Sequence, residues 1–402
     1  MKKEAPPLYL TAREAATELS VSPATLYAYV SRGYIRSEPG DGPRARRYRA
    51  DDVRALKNRR TPVGSSREND AELPVLDSAI STITSTGPLY RGVPAVSLAA
   101  DATLEQAATL LWDVNGHDPF TADNLPVLSS AMRAVLQTTR TESPMARTVA
   151  VLALASDADP RAFNRSAEGR ARIGARAMRL VTAAMLCKEP KAEPIHRQLA
   201  EAWAPGQSAA GDLFRRALVL LADHELNAST YTVRCAVSTD LNLYDSVIAG
   251  LTALKGPRHG GAGPLAAHMV ASLAEGDIAG KIRMRVALGE RIPGFGHTIY
   301  KDGDPRAEDL LAALMRAGGD RRLAVDAPAL ISEATGLHPN IDFALAVMMH
   351  SLGLPIGHEM PLFAVARVAG WIAHAVEQLH SGRLIRPRAR YIGPAPGRSI
   401  RR

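Results

Sequence analysis

The chain has 402 residues, 46% of them hydrophobic and 22% charged. That is enough apolar side chain for a sizeable core and too much length for one small module, so a lone small domain and a globally disordered chain are both excluded. Its two cysteines, Cys187 and Cys235, with no Cys-x-x-Cys, exclude a disulfide scaffold and a multi-cysteine metal or iron–sulfur cluster. Both read as packed thiols. Nothing reads as a signal peptide and no apolar run reaches the roughly eighteen residues of a membrane span, so a cytoplasmic protein with no membrane partner is expected.

The net charge of +8 is uneven. Residues 1–60 hold thirteen Lys/Arg and seven Asp/Glu, a balance of +6, and the rest of the chain carries only +2. A compact basic module on a near-neutral body suggests a polyanion-binding head. In that head, Thr11 and Glu14 have the spacing of a capping box and open a short helix that ends near Ser20-Val21. Ser22-Pro23 restarts helix, because serine caps well and proline fits the first helical position; Gly33 is its expected stop.

Tyr34-Ile35-Arg36, a turn around residues 39–43, and the basic run Arg44-Ala45-Arg46-Arg47-Tyr48 read as a two-stranded wing. Asp51-Asp52 then starts a third helix that ends at Arg60. The arrangement resembles the winged helix-turn-helix of the MerR and excisionase families over residues 1–60. DNA binding is the expectation, with Thr25 and Tyr27 facing bases and Arg44, Arg46 and Arg47 on phosphates. The alternative is a helical hairpin used for protein contacts. Residues 61–74 are polar with Pro, Gly and Ser and read as a linker.

From residue 75 onward Ala/Leu/Arg segments with helical spacing dominate, as over residues 104–112, 170–186, 209–223 and 362–379. Strand alternation is scarce, so the body is expected to be all-α. Four segments depart from helix chemistry. A polar cluster at residues 222–230 closes an apolar helix. Residues 255–264 surround His259 with glycines, which permit a tight turn and close backbone approach. Residues 292–297 end in Gly296-His297 and lead to Asp304-Pro305-Arg306. Residues 338–343 carry Asp342.

Asp342 is the one charge between Pro339 and Met349, and Arg367 the one charge in residues 361–373. An isolated charge in an apolar helix is costly unless paired or given a ligand. A buried salt bridge between the two is the bland explanation. Two glycine-flanked histidines and a carboxylate also suit a non-haem iron triad, but nothing fixes ligand spacing, and metal-free acid–base chemistry uses the same groups more economically. His374 and Glu377, at i,i+3, read as a structural pair, and His350, His358 and His380 as helix-end or surface residues.

GPRHGGA, PGFGHTIYKDGDPRA, NIDFALA, LFAVARVAGWIAH and RLIRPRARYIG, in that order, resemble the motifs of the citrate synthase family. The resemblance covers roughly residues 75–395. It implies an all-α fold over residues 75–402, with a small domain at about residues 262–362 closing over a large one. It implies condensation of acetyl-CoA with oxaloacetate and water to citrate and CoA, with no cofactor and no metal. His259 would stabilise the enol, Asp342 would act as base and His297 would polarise the ketone. His224, Arg306, Arg367 and Arg386 would bind substrate, Arg386 reaching into a partner's site in a homodimer. Ile292, Pro293, Gly294, Phe295 and Gly296 would lie against CoA, with Lys301 near a phosphate.

The chain departs from the family where Gly263-Pro264 replace the usual Asn-Glu after HGGA, and where Thr298 follows His297 in place of the frequent Arg. Both departures lie beside the active-site turns and bear on the choice of acyl-CoA. The alternatives are a 2-methylcitrate synthase using propionyl-CoA, and a transcriptional regulator whose synthase-like body senses metabolites.

Overall fold

A computed structural model of the protein describes residues 9–19, 21–31, 34–40, 46–50, 52–53, 56, 76–389 and 391–393. The chain forms two compact units, Met1–Leu76 and Asp77–Arg402.

In the first unit Thr11 caps helix Ala12–Glu18 reciprocally with Glu14. The Thr11 N–H donates to Glu14 Oε2 at 2.8 Å and the Glu14 N–H to Thr11 Oγ1 at 3.3 Å. Helix Pro23–Ser31 follows, with the Thr25 N–H donating to Ser22 Oγ at 3.2 Å. Strands Ser37–Pro39 and Arg46–Arg49 pair antiparallel, and Tyr9–Thr11 adds a third strand on the far side of Arg46–Arg49. That third strand has no sequence signal, being three residues long. The outgoing strand, expected at Tyr34-Ile35-Arg36, forms at Ser37–Pro39, and Ile35 is buried with Ala15, Leu26, Tyr48 and Val53 in the unit's core. Arg36 closes on Asp52 through two charge-assisted bonds of 2.8 and 2.7 Å, which hold the Asp52 carboxyl down at about 2. Ala50, Asp52, Val53 and Leu56 are helical where the third helix was expected. Gly33, Arg44 and the expected linker at residues 61–74 lie outside the described residues.

Among its described residues the second unit is helical apart from a small antiparallel meander, Ser81–Thr84, Gly87–Tyr90 and Val93–Pro94, and one isolated bridge. Its centre is helix Glu359–Ser381, buried nearly all round, as expected of an apolar helix inside a layered bundle. Helices Leu104–Leu111, Ala167–Leu186, Ala210–Leu221, Ala228–Val237 and Leu243–Leu254 pack around it. A second group, Ala262–Ala274, Pro305–Arg316 and Ile341–Ser351, packs on itself.

Glycine sets how closely the central helix is approached. At Gly370 an added Cβ would lie 2.5 Å from the Ala222 carbonyl and 2.3 Å from Asp223 Oδ1, and the Gly370 N–H donates to that carbonyl at 3.0 Å. At Gly250 an added Cβ would sit 2.7 Å from the Trp371 indole. We therefore expect Gly250→Ala to cost about 1–3 kcal/mol by overpacking, read as a lowered guanidinium midpoint. An unchanged midpoint would mean the two helices can separate freely.

Candidate active site

A cavity of about 490 Å³ opens in the second unit where the end of helix Ala210–Leu221, the glycine turn, the 292–306 segment and helices Ile341–Ser351 and Glu359–Ser381 converge. His224, His259, His297, Arg306, Asp342 and Arg367 all line it.

His259 sits on a turn that glycine permits. An added Cβ at Gly260 would meet the Leu254 carbonyl at 2.3 Å, and one at Gly261 the Pro257 carbonyl at 2.7 Å. These two glycines thus let the chain's own backbone close tightly on the turn. His259 Nε2 lies 2.8 Å from Ser229 Oγ, which accepts the Trp371 indole N–H at 3.2 Å and donates its own proton to Asn227 Oδ1 at 2.8 Å. Asn227 in turn caps helix Ala228–Val237, so the polar cluster that closes the preceding apolar helix anchors this histidine.

His297 Nδ1 accepts the N–H groups of Ile299 (3.1 Å) and Tyr300 (3.3 Å). The ring proton must therefore reside on Nε2, which is left free to donate. The His297 ring packs against His224 at 5.6 Å and Tyr300 at 4.7 Å, and His224 Nε2 lies 3.2 Å from the Tyr300 hydroxyl. Burial lowers the pKa of all three histidines. Arg306 reinforces it at His224 and His297, and Arg367 at His259 and His224, so the three rings stay neutral. Burial also raises the Tyr300 hydroxyl to about 12.

Arg306 and Arg367 hold their places differently. The Nε and Nη2 of Arg306 grip Asp304 at 3.0 and 2.8 Å, leaving its Nη1 edge for a ligand. Asp304 also caps helix Pro305–Arg316 and accepts the Ile341 N–H at 3.0 Å. Arg367 donates Nε to the Leu221 carbonyl at 2.8 Å and stacks over the Phe363 ring at 4.6 Å. Burial lowers Arg367 to about 10.

Asp342 follows the N-cap Asn340 and has no ion-pair partner among the described residues. The expected Asp342–Arg367 salt bridge is absent because Asp304 occupies Arg306 and a backbone carbonyl takes Arg367 Nε. Burial pushes the Asp342 carboxyl up to about 6; Asp304 adds to the rise, and Arg306 and Arg367 restrain it.

Other expected site residues lie off this cavity. Ile292, Pro293, Gly294, Phe295 and Gly296 are not in its wall, nor are Lys301 and Arg386. Phe295 bridges to Pro339 and packs on the Phe343 ring at 4.8 Å, so its loop braces the start of the Asp342 helix. Arg386 is exposed on irregular chain past the last helix. In the first unit, Thr25 Oγ1 bonds Ser22 Oγ at 2.9 Å, Tyr27 is 53% exposed, and Arg46 and Arg47 are exposed on their strand. Ser229, Asn227, Asp304 and Tyr300 were not singled out as site residues, although the first three sit in the segments that depart from helix chemistry. No cluster of three His, Cys, Asp or Glu side chains that could hold a metal occurs among the described residues, so the iron-triad alternative has no ligand set there.

The structure also locates a buried charged network behind His224. Arg234 Nε donates to His374 Nδ1 at 3.0 Å, and His374 Nε2 faces Asp223 at 3.4 Å. Arg234 also pairs with Glu377, and the Ser81 hydroxyl donates to Asp223. His374 and Glu377 are thus joined through Arg234 and not to each other. Burial disfavours the Asp223 carboxylate, but His374, Arg367 and Ser81 more than offset it and hold its pKa low.

The folds and the cavity define a class: a small unit of two helices and a three-stranded sheet joined in one chain to a mostly helical unit, one cavity of which is walled by acid–base groups and arginines. The chain belongs to the citrate synthase family. The family model for the citrate synthase C-terminal domain matches residues 71–388, and a helix-turn-helix domain model matches residues 9–61. Citrate synthase 2 of Bacillus subtilis is 42% identical over 190 residues, 46% of this chain and 51% of that protein. A citrate synthase of Haloferax volcanii is 43% identical over 190 residues, so the chain spans about half the length of these two relatives. A 2-methylcitrate synthase of Mycobacterium tuberculosis is 30% identical over 338 residues, 76% of this chain and 84% of that protein. The crystal structure of citrate synthase from Pyrobaculum aerophilum superposes with a TM-score of 0.71 at 25% identity, covering 85% of this chain and 97% of that one. No helix among the described residues is long and apolar enough to cross a membrane.

Removing Asp223 would strand Arg367 and His374 in the core. Asp223→Ala is expected to cost about 3–5 kcal/mol, measured by denaturant unfolding of the full chain. A loss below 1 kcal/mol would show the network to be dispensable.

Proposed function

We propose that the chain is a citrate synthase that condenses acetyl-CoA with oxaloacetate and water to give citrate and CoA, and that its basic head binds DNA. The observation that carries the enzymatic reading is a carboxylate raised to about 6 by burial in one cavity with three neutral histidines.

Asp342 takes an α-proton from the acetyl thioester. Raising its carboxyl from 3.8 to about 6 makes it a stronger base by about 3 kcal/mol. The electrons move into the thioester carbonyl, whose oxygen needs a donor as charge develops. His259 supplies it. For the imidazole proton to sit on Nδ1, the Ser229 hydroxyl must turn from Asn227 Oδ1, to which it donates, toward His259 Nε2 while Trp371 keeps its bond to the oxygen. The Nε2–H of His297 polarises the oxaloacetate ketone and protonates it as the new carbon–carbon bond forms. Arg367, the free edge of Arg306 and His224 hold the carboxylates. Water then cleaves citryl-CoA and CoA leaves as the thiol. Neutral imidazoles fit these steps because they donate without adding a fixed positive charge that would trap the substrate ground state.

In this reading residues 262–362 close over the remaining body, and Arg386 reaches into a partner's site within a cytoplasmic homodimer. Ile292 to Gly296 and Lys301 meet CoA only on closure. The second reading, a 2-methylcitrate synthase, is supported by the mycobacterial relative, 84% of which is aligned. Retention of Asp342 argues against a body that only senses metabolites. For the head, exposed Arg46 and Arg47, with Arg44, on a helix-turn-helix unit support phosphate contact.

CoA-thiol release with oxaloacetate and acetyl-CoA or propionyl-CoA tests the reaction. The kcat/KM should rise with pH through about 6 as Asp342 ionises, since the base works only when deprotonated. Asp342→Ala should lower turnover by about 10²–10⁴ while oxaloacetate still binds; wild-type turnover in that variant would remove the assignment. Replacing Arg44, Arg46 and Arg47 by alanine should flatten the plot of log affinity for duplex DNA against log salt by about 2–3. An unchanged slope and affinity would return the head to protein contacts.

A further inference from the structure

Glu359 is the first residue of the central helix, is 2% exposed, and lines the same cavity as His259 and Asp342. Its position in the first turn suits the helix dipole, and Oε2 accepts the Gly357 N–H at 2.8 Å. That is the side chain's one hydrogen bond among the described residues, and no Lys, Arg or His there lies within ion-pair distance. The second oxygen is not sealed off from solvent and presents an acceptor to the cavity.

Two observations place this acceptor on the thioester side. Phe363, one helical turn further along the same face, packs its ring against His259 at 6.5 Å. Gly263, one turn beyond His259, faces Glu359: a Cβ there would stand 3.3 Å from Glu359 Cβ. This is the position where the chain has glycine in place of the family's usual asparagine, so the departure from the family pattern and the unpartnered carboxylate meet at one point of the wall. Leu254, Leu345 and Met360 also line the cavity and offer no hydrogen bond to an acyl chain.

Resting on the condensation reading, we propose that Glu359 is a specificity-determining residue that accepts a hydrogen bond from a hydroxyl on the acyl group, so that the chain favours hydroxyacyl-CoA thioesters over alkyl isosteres. The donor is a neutral hydroxyl and not an ammonium, because Arg258, Arg306 and Arg367 line the same cavity and oppose a cation. The chemistry is unchanged. An α C–H bond breaks, the new carbon–carbon bond forms, water cleaves the thioester and CoA-thiol leaves, with the hydroxyl a spectator. A site built to hydrogen-bond a substrate hydroxyl rejects the analogue lacking it far more strongly than an apolar pocket sorts methylenes.

The test measures kcat/KM by CoA-thiol release from the full chain with oxaloacetate and two isosteric pairs, glycolyl-CoA against propionyl-CoA and 3-hydroxypropionyl-CoA against butyryl-CoA. Acetyl-CoA is the reference, and wild type is compared with Glu359→Met, which can neither donate to nor strongly accept from a hydroxyl. The ratio within a pair cancels any general loss of activity in the variant. At least one pair should favour the hydroxyl by about tenfold or more in wild type, and that preference should fall about tenfold in Glu359→Met. A wild-type ratio at or below one in both pairs overturns the proposal without needing the variant, as does a ratio that Glu359→Met leaves unchanged. No release from any of the five thioesters would instead overturn the condensation reading beneath it.

Discussion

Much of the body depends on one close approach, where the backbone of Gly370 in the central helix meets the end of helix Ala210–Leu221 at Ala222 and Asp223. No side chain fits between them, so two apolar helices touch through main chain and a carboxylate. That contact brings Arg367, three residues before Gly370, under the Leu221 carbonyl. It brings His374, four residues after, to Asp223. It also fixes where the next residue, His224, enters the cavity. A charge network that would be expensive in a fluid interior is tolerable here because its members are placed by packing before they pair.

The electrostatics of the cavity follow from burial more than from any single pair. Desolvation keeps the imidazoles neutral and resists ionisation of Asp342, while two arginines limit how far the carboxyl can rise. Had Arg367 or Arg306 paired directly with Asp342, the carboxylate would have been stabilised and weakened as a base. Asp304 and the Leu221 carbonyl prevent this by engaging the guanidinium groups elsewhere. The partner of an arginine outside the cavity wall thus sets the basicity of a carboxylate within it.

The all-α body and the residues that ring the cavity were legible where they break helix chemistry. His259 and His297 stand beside glycines, and Asp342 and Arg367 are lone charges in apolar runs. Position in the sequence does not reveal long-range partners, so the link from Ser229 to His259 and that from Asp304 to Ile341 required coordinates. The meander at residues 81–94 and the strand Tyr9–Thr11 escaped because runs of two to four residues carry no periodicity. For residues 292–296 the resemblance implied contact with CoA; the coordinates add that Gly294, with a φ of 81° and an added Cβ 2.8 Å from Phe343 Cβ, is required by a tight bend against a neighbouring helix.

Asp304 has a consequence for movement. One carboxylate holds the Arg306 fork, the first turn of its own helix, and the N–H at the head of the helix bearing Asp342. Arg306 and Asp342 are thereby riveted into a single block, whereas His224 and Arg367 belong to the opposite wall. Any change in the width of the cavity would therefore move this pair relative to His224 and Arg367 without altering the spacing within the pair. A substrate that spans Arg306 and Arg367 would act as a gauge of that gap, with Asp342 arriving at its working distance only when both arginines are engaged.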